Sequence, residues 1–496
     1  MTSIRALLSL TALSFTTLSF ATLAETTEPS TYTFPTSDAW LNHVQSGLMP
    51  YWMMEPAQGK PAGNFPTFRC DDGTLLNVSN VCPELKAGWI TPHFDRDYTR
   101  MKSRQTYAYG VSYHLTGDIN ALALAKQGAY YLIDHLQDAD NGGYISFTRN
   151  GQAGLEWQQR TSQDQAYALV GLAMYYYLTR DPKVEAALVK QQAFIFDNYR
   201  ISESEGLAWV LKDGDGESNK QRELVAQLDQ INGYLLLVAP LLPEKEKQRW
   251  FDDLQWLTEV MVDAYHSEKE SRFYGAVHHK AAKMQNAKHN DFGHTIKAYW
   301  MTYLTAQTLE REGQSVNQEW ESFAIDGMQE TLKRAQYTAP FESAAHLFTE
   351  TYQQKWQGHT VPAWQARPNS KGAASWEWAE LDQASMTLSM HQDSLREELH
   401  YTTRTFMDVW VDQEHGGIGL NPKSTKAFHW GNGYHQFEHA LVGYITASKL
   451  ANQPFNLHYA FTEESAPSVQ PYYFEASKIK VEQDKNTPNL QTITFQ

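Results

Sequence analysis

The polar residues that stand out in this chain lie inside helical stretches that are otherwise apolar. Arg104, Asp164 with Gln165, Asp229 with Asn232, His294 with Lys297, Glu380 with Asp382, and His435 with Glu438 each fall near the start of such a stretch or one turn into it. An unpaired buried charge is too costly to keep, so groups of this kind pair with one another or line a wet cavity. Because they recur on every second helix, a shared pocket accounts for the set better than isolated pairs do. Two carboxyls from Asp164, Asp229, Glu380 and Asp382 facing each other across that pocket would suit a glycoside hydrolase, and a polysaccharide lyase would use a similar site.

His435-Gln436-Phe437-Glu438-His439 fits a zinc-peptidase pattern, His-x-x-Glu-His, in which histidines four apart on a helix share the metal and the glutamate acts as base. A third ligand would have to come from a downstream tail that reads as β structure. The expectation is therefore that no metal is bound and that His439 packs against neighbouring helices. Asp213-Gly214-Asp215-Gly216-Glu217 resembles a calcium loop only superficially, because its glycine and closing glutamate are out of place, and it reads as a solvated turn.

The elements that position these residues are helices in alternating styles. From Asn120 to Gln137 the residues Leu122, Ala125, Ala129, Leu132, Ile133 and Leu136 share one face, and Val184, Ala187, Leu188, Phe194 and Ile195 do so further on. Between them, Gln165 to Leu178 is apolar nearly all round, as a helix enclosed by others must be. About twelve such segments follow one another, the later ones near Gly293, Gln318, Trp376, Leu395 and Tyr434. Their punctuation repeats as well. Tyr113-His114-Leu115-Thr116-Gly117-Asp118 echoes Tyr176-Tyr177-Leu178-Thr179-Arg180-Asp181, and Asn141-Gly142-Gly143-Tyr144 echoes His415-Gly416-Gly417-Ile418. The pattern describes an all-α fold, an (α/α)6 barrel of buried inner and half-exposed outer helices, with one end of the inner helices around a common pocket.

Three regions lie outside the barrel pattern. Residues 1–24 read as a secretory signal peptide, with Arg5, a diluted apolar stretch and small residues before a cut after Ala24. The stretch from Gly59 to Asp95, with four prolines and both cysteines, reads as a loop at the pocket rim. The end of the chain carries strand-like runs (Tyr472-Tyr473-Phe474, Ile479-Lys480-Val481, Thr492 to Phe495) and forms a small C-terminal β appendage. The expected division is barrel over 25–451 and β extension, packed on the barrel, over 452–496. Periplasm or secretion follows, and in an oxidising compartment Cys70 and Cys82 are close enough to form a disulfide. Acidic residues outnumber Lys and Arg 57 to 41, which leaves no basic face for nucleic acid. Nothing supports a membrane anchor. The 15 Trp, 27 Tyr and 22 Phe suit both a large core and a cleft that stacks on sugar rings.

Gly293-His294-Thr295-Ile296-Lys297-Ala298-Tyr299-Trp300 is similar to the Gly-His-x-Ile/Leu-Glu-x-x-Trp helix of the N-acylglucosamine 2-epimerase superfamily, a group of sugar epimerases and aldose-ketose isomerases. Trp430-Gly431-Asn432-Gly433-Tyr434-His435 resembles its Trp-x-x-x-Tyr-His segment. Lys102 to Gln105, Asp164 to Tyr167, and Trp376-Glu377-Trp378-Ala379-Glu380-Leu381-Asp382 follow in family order. The resemblance implies proton transfer at C2 of a reducing sugar through an enediolate, without a cofactor, by His294 and His435. Imidazole suits this work because it titrates near neutral pH. Arg104 would polarise the enediolate oxygen and Trp430 would stack on a ring. Gln165, Asn232, Trp378, Glu380 and Asp382 would complete the substrate site.

The chain departs from the family in two places. Lys297 stands where the family has Glu, and Asp229 to Tyr234 replaces a histidine-rich helix. Lys297 could meet an anionic sugar or neutralise Glu380 or Asp382. The substrate is thus a mono- or oligosaccharide, neutral or anionic, and a non-catalytic sugar-binding protein is a further alternative to the hydrolase.

Overall fold

A computed structural model describes residues 34–214, 218–277, 287–335, 355–356, 359–360, 374–391, 406–421, 424–461 and 469–496. The leader expected at 1–24, the helix expected near Leu395 and Asp215 to Glu217 of the solvated turn lie outside them. In chain order the helices are α1 (Ser37–Asn42), α2 (Met49–Met53), α3 (Thr99–Thr116), α4 (Ile119–His135), α5 (Ser162–Tyr167), α6 (Val170–Thr179) and α7 (Pro182–Tyr199). They continue with α8 (Leu224–Gln230), α9 (Leu236–Val238), α10 (Glu244–Val260), α11 (Phe292–Arg311), α12 (Trp320–Ala335), α13 (Ser375–Ser389) and α14 (Tyr434–Leu450). α3, α5 with α6, α8 with α9, α11, α13 and α14 are buried on nearly every side. Each packs on the next and α14 returns to α3, which closes the inner ring of an (α/α)6 barrel.

The repeated punctuation has a physical basis. Gly117 and Arg180 each end an inner helix in the left-handed conformation, at φ 71° and 55°, with the N–H returned to the carbonyl of Tyr113 or Tyr176. Asp118 and Asp181 then cap α4 and α7 by accepting from the N–H two residues on. The paired glycines work the same way at the other end. Gly142 and Gly416 donate to the carbonyls of Asp138 and Asp412, and all four glycines have positive φ.

One helix expected from Gln165 to Leu178 is broken between α5 and α6. The Ser103 hydroxyl inserts into the ladder, donating to the Ala168 carbonyl at 3.0 Å and accepting from the Gly171 N–H at 2.9 Å. Only the absence of a side chain at Gly171 allows this approach, since a Cβ there would lie 2.3 Å from the Ser103 carbonyl. The inner run Leu224–Leu241 is as apolar as a membrane span, yet 89% of it is buried within the protein.

Cys70 and Cys82 are bonded, with Cα atoms 6.0 Å apart, and close the rim loop. That loop has its own small core of Phe68, Leu85, Ile90 and Phe428, and its Asp71 carbonyl accepts from Lys426, so it is tied to the segment leading into α14. At the opposite end lies an antiparallel sheet of β1 (Phe455–Tyr459), β2 (Lys478–Gln483) and β3 (Gln491–Phe495), with β3 central. Phe455, Leu457, Tyr459, Ile493 and Phe495 alternate inward. The Tyr113 hydroxyl and the Leu178 carbonyl, near the ends of α3 and α6, bond this sheet at Tyr459 and Ala460. The run Tyr472-Tyr473-Phe474, expected as a strand, is instead a turn with Phe474 N–H on the Pro471 carbonyl, because these rings are buried together inside the barrel's closed end.

Candidate active site

At the end away from the C-terminal sheet, the N-termini of α11, α13 and α14 bring two imidazoles together. Asp291 caps α11 by accepting from the His294 backbone N–H at 2.8 Å, and its carboxylate also accepts from Nδ1 of the same residue at 2.7 Å. Burial works against the charge on Asp291, but His294, through its charge and both hydrogen bonds, holds the carboxyl below its usual range. On α14, Nδ1 of His435 donates to Oε1 of Glu380 at 3.0 Å. Each ring thus has its Nδ1 held by a carboxylate, and among the described residues nothing bonds Nε2, which is the nitrogen left to exchange a proton. Burial, reinforced by Lys297 and Arg104, lowers His435 to about 4 against the pull of Glu380, so the ring is neutral at pH 7. Both rings flank one indole, with the Trp376 centroid 4.7 Å from His294 and 5.8 Å from His435. They keep 14% and 12% side-chain exposure where Glu380 has none, so they are the wet face of the cluster.

Behind this face the charges are paired. Lys297 donates to the same Glu380 oxygen at 2.8 Å and is 3% exposed, so its charge neutralises a carboxylate and is not presented to an anionic sugar. Burial opposes the charges on both, but each holds the other ionised: Lys297 is pushed up and Glu380 down to about 2. The Arg104 guanidinium lies 3.9 Å over the Tyr167 ring, and Nη1 donates to the Trp430 carbonyl at 2.5 Å. Trp430 is half-buried at the rim beside Phe428 and Trp89. Asn232, in a π-helical turn between α8 and α9, donates to the Tyr434 hydroxyl at 2.7 Å and so sits behind that ring.

Other expected site residues lie apart. Gln165 has its carbonyl oxygen on the Tyr144 N–H and the Gln191 amide and its nitrogen on the Tyr144 carbonyl, so it holds the turn after α4. Trp378 is buried against Phe292, 5.4 Å between rings, because two residues along a helix is more than half a turn; Trp376 takes the position between the two histidines. Asp382 pairs with His439 at 2.9 Å, and His439 packs on Trp40 and Phe406. The three polar residues of His-x-x-Glu-His therefore turn to three different partners. Glu380, His435 and Glu438 do place ligand atoms within 4.8 Å of one another, but the Lys297 ammonium already supplies the cation there. Asp164 is bound by Arg100 and Asp229 by Gln163, so these carboxyls are engaged as well. Asp291 and Trp376 were missed in the sequence; an Asp three residues ahead of a helical histidine was the available signal for the first.

No family model matches the chain. A cellobiose 2-epimerase from Bacteroides fragilis is 21% identical over 277 residues, which is 54% of this chain and 64% of that protein, so the match spans a little under two thirds of the relative's length. Among solved structures, the cellobiose 2-epimerase of Spirochaeta thermophila superposes with a TM-score of 0.61 at 15% identity, over 84% of this chain and 97% of that one. A D-mannose isomerase gives 0.59 at 11% identity over 83% and 97%. An unsaturated glucuronyl hydrolase specific for heparin has the same fold at 0.53, with 13% identity over 84% and 98%. The match to the cellobiose 2-epimerase bears out the resemblance read from the sequence motifs, and the solved structures share the fold.

Proposed function

We propose that this protein is a sugar epimerase or aldose-ketose isomerase that moves the C2 proton of a reducing saccharide, with His294 and His435 as its acid/base pair. The observation that carries the reading is the pair of imidazoles flanking Trp376, with Nδ1 of one held by the half-buried Asp291, Nδ1 of the other by the buried Glu380, and no partner on either Nε2 among the described residues. With the open-chain sugar over Trp376, the neutral ring of His435 takes the C2 proton on Nε2, and Glu380 on Nδ1 balances the charge that appears. The electron pair left behind forms the enediolate, and the Arg104 guanidinium stabilises its oxygen. For the epimer, His294 enters as the imidazolium, its charge balanced by Asp291 on Nδ1, and gives its Nε2 proton to the opposite face of C2; for the ketose, His435 returns its proton to C1 while the O2 proton passes to O1. Trp430 stacks on a ring farther out.

The sugar relatives support the substrate class, and the buried Lys297–Glu380 pair favours a neutral sugar. The Cys70–Cys82 bond supports placing the protein in the periplasm or outside the cell.

A panel of reducing mono- and oligosaccharides incubated with the protein in D2O and followed by NMR tests the reaction. The product should carry deuterium at C2 or C1, and His294→Asn or His435→Asn should slow turnover by about 10²- to 10⁴-fold. Release of two shorter sugars without carbon-bound deuterium, with both histidine variants active, would replace this reading by a hydrolase.

A further inference from the structure

The C-terminal extension reaches the proton-transfer site from the closed end of the barrel. At Tyr472 the chain turns with φ 59°, a left-handed conformation that a non-glycine residue adopts when its surroundings hold it. Its N–H donates to the Tyr177 hydroxyl at 2.8 Å, and Tyr473 lies against its ring with centroids 3.9 Å apart. So held, the Tyr472 ring points along the barrel interior. Its hydroxyl donates to Oε1 of Glu438 at 2.6 Å and lies 2.8 Å from the Tyr107 hydroxyl.

Glu438 is one turn beyond His435 on α14 and fully buried. The groups facing it are Lys297 from α11, Glu380 from α13, Tyr107 from α3, Tyr472 and Tyr473 from the extension, and Tyr434 and His435 on its own helix. Two carboxylates this close in a dry interior resist being ionised together. We infer that Tyr472 is a positioning residue of the proton-transfer site: its hydroxyl fixes Glu438 beside Glu380, and the protonation of Glu438 sets how strongly Glu380 holds the Nδ1 proton of His435. Burial, followed by the charge on Glu380, raises Glu438 to about 7, so it changes charge in the working range. When Glu438 loses its proton to solvent, a second negative charge appears next to the dyad and the His435 ring becomes more basic.

The inference rests on His435 as the acid/base group proposed above, so its test is read first without turnover. The 15N shifts of the His435 ring are followed against pH in the full chain for wild type, Glu438→Gln and Tyr472→Phe, with thermal melts to show that each is folded. Wild type should show an inflection near pH 7. Glu438→Gln should abolish it. Tyr472→Phe, which keeps the ring but removes a hydrogen bond to the charged carboxylate, should move it up by about one pH unit. An inflection that survives in Glu438→Gln, or stays in place in Tyr472→Phe, overturns the inference. The pH profile of deuterium incorporation into sugar should move in parallel. Ring titrations that shift while that profile stays fixed would uphold the coupling and remove His435 from the reaction.

Discussion

Replacing Glu380 by Gln tests the most heavily used group in the site. The carboxylate is fully buried and holds both Lys297, at 2.8 Å, and His435, at 3.0 Å. Gln keeps its shape and removes its charge, which strands the Lys297 ammonium in the interior. Breaking one side of a buried pair costs about 3 to 5 kcal/mol, a large part of a typical folding free energy of about 5 to 15 kcal/mol. Replacing both partners leaves no stranded charge, so Lys297→Met/Glu380→Gln should recover most of the loss. Activity should behave differently. The double variant still lacks the anion on Nδ1 of His435, and it should remain slower than wild type by about 10²-fold or more. Guanidinium unfolding followed by tryptophan fluorescence gives the stabilities, and deuterium exchange into the sugar gives the rates. A loss below about 1 kcal/mol in Glu380→Gln, or a double variant no more stable than the single, would refute the claim that this carboxylate neutralises Lys297.

Further outcomes follow from the same geometry. Glu438, at about 7 in the fold against an ordinary 4.5, contributes stability that is complete below pH 4.5 and lost as pH rises through 7. The loss should be about 3 kcal/mol, so Glu438→Gln should melt above wild type at pH 8.5 and gain nothing at pH 4.5. Reducing Cys70–Cys82, or replacing both by Ser, should destabilise the protein by about 2 to 3 kcal/mol, and free thiols in the unreduced protein would contradict the bond. Activity should survive prolonged EDTA treatment, because the Lys297 ammonium already pairs with Glu380; recovery of lost activity on adding zinc would revive the metal reading of His435, Glu438 and His439.

The architecture was legible because an (α/α)6 barrel repeats itself. Gly117 and Arg180 end inner helices in one conformation and Asp118 and Asp181 start outer ones, and such local rules leave local signatures. The features that escaped are tertiary. The break between α5 and α6 is imposed by Ser103 from a neighbouring helix. The choice of Trp376 over Trp378 depends on how α13 is rotated about its axis, which two tryptophans in one short motif do not reveal. The turn at Tyr472 looked like a strand because buried aromatic residues have the same composition in either setting, and its contact with Glu438 joins segments that share no local pattern.

On the proposed mechanism, Lys297 breaks the motif yet leaves a carboxylate beside an imidazole. The resemblance implies a glutamate one turn after His294, and a lysine there reverses the local charge. Taken alone, that change favours an anionic substrate or an inactive binding protein. The structure brings the ammonium onto Glu380 of the adjacent inner helix, and that carboxylate also carries the Nδ1 proton of His435. A negative group still stands beside an imidazole, supplied from α13 instead of α11, and the lysine holds it ionised at about 2. Without Lys297, burial and the neighbouring Glu438 would both push Glu380 toward its neutral form. A neutral carboxyl could not balance the charge on His435 in the proton transfer proposed for it. The lysine is therefore better understood as the support of the His435–Glu380 dyad than as a substrate contact.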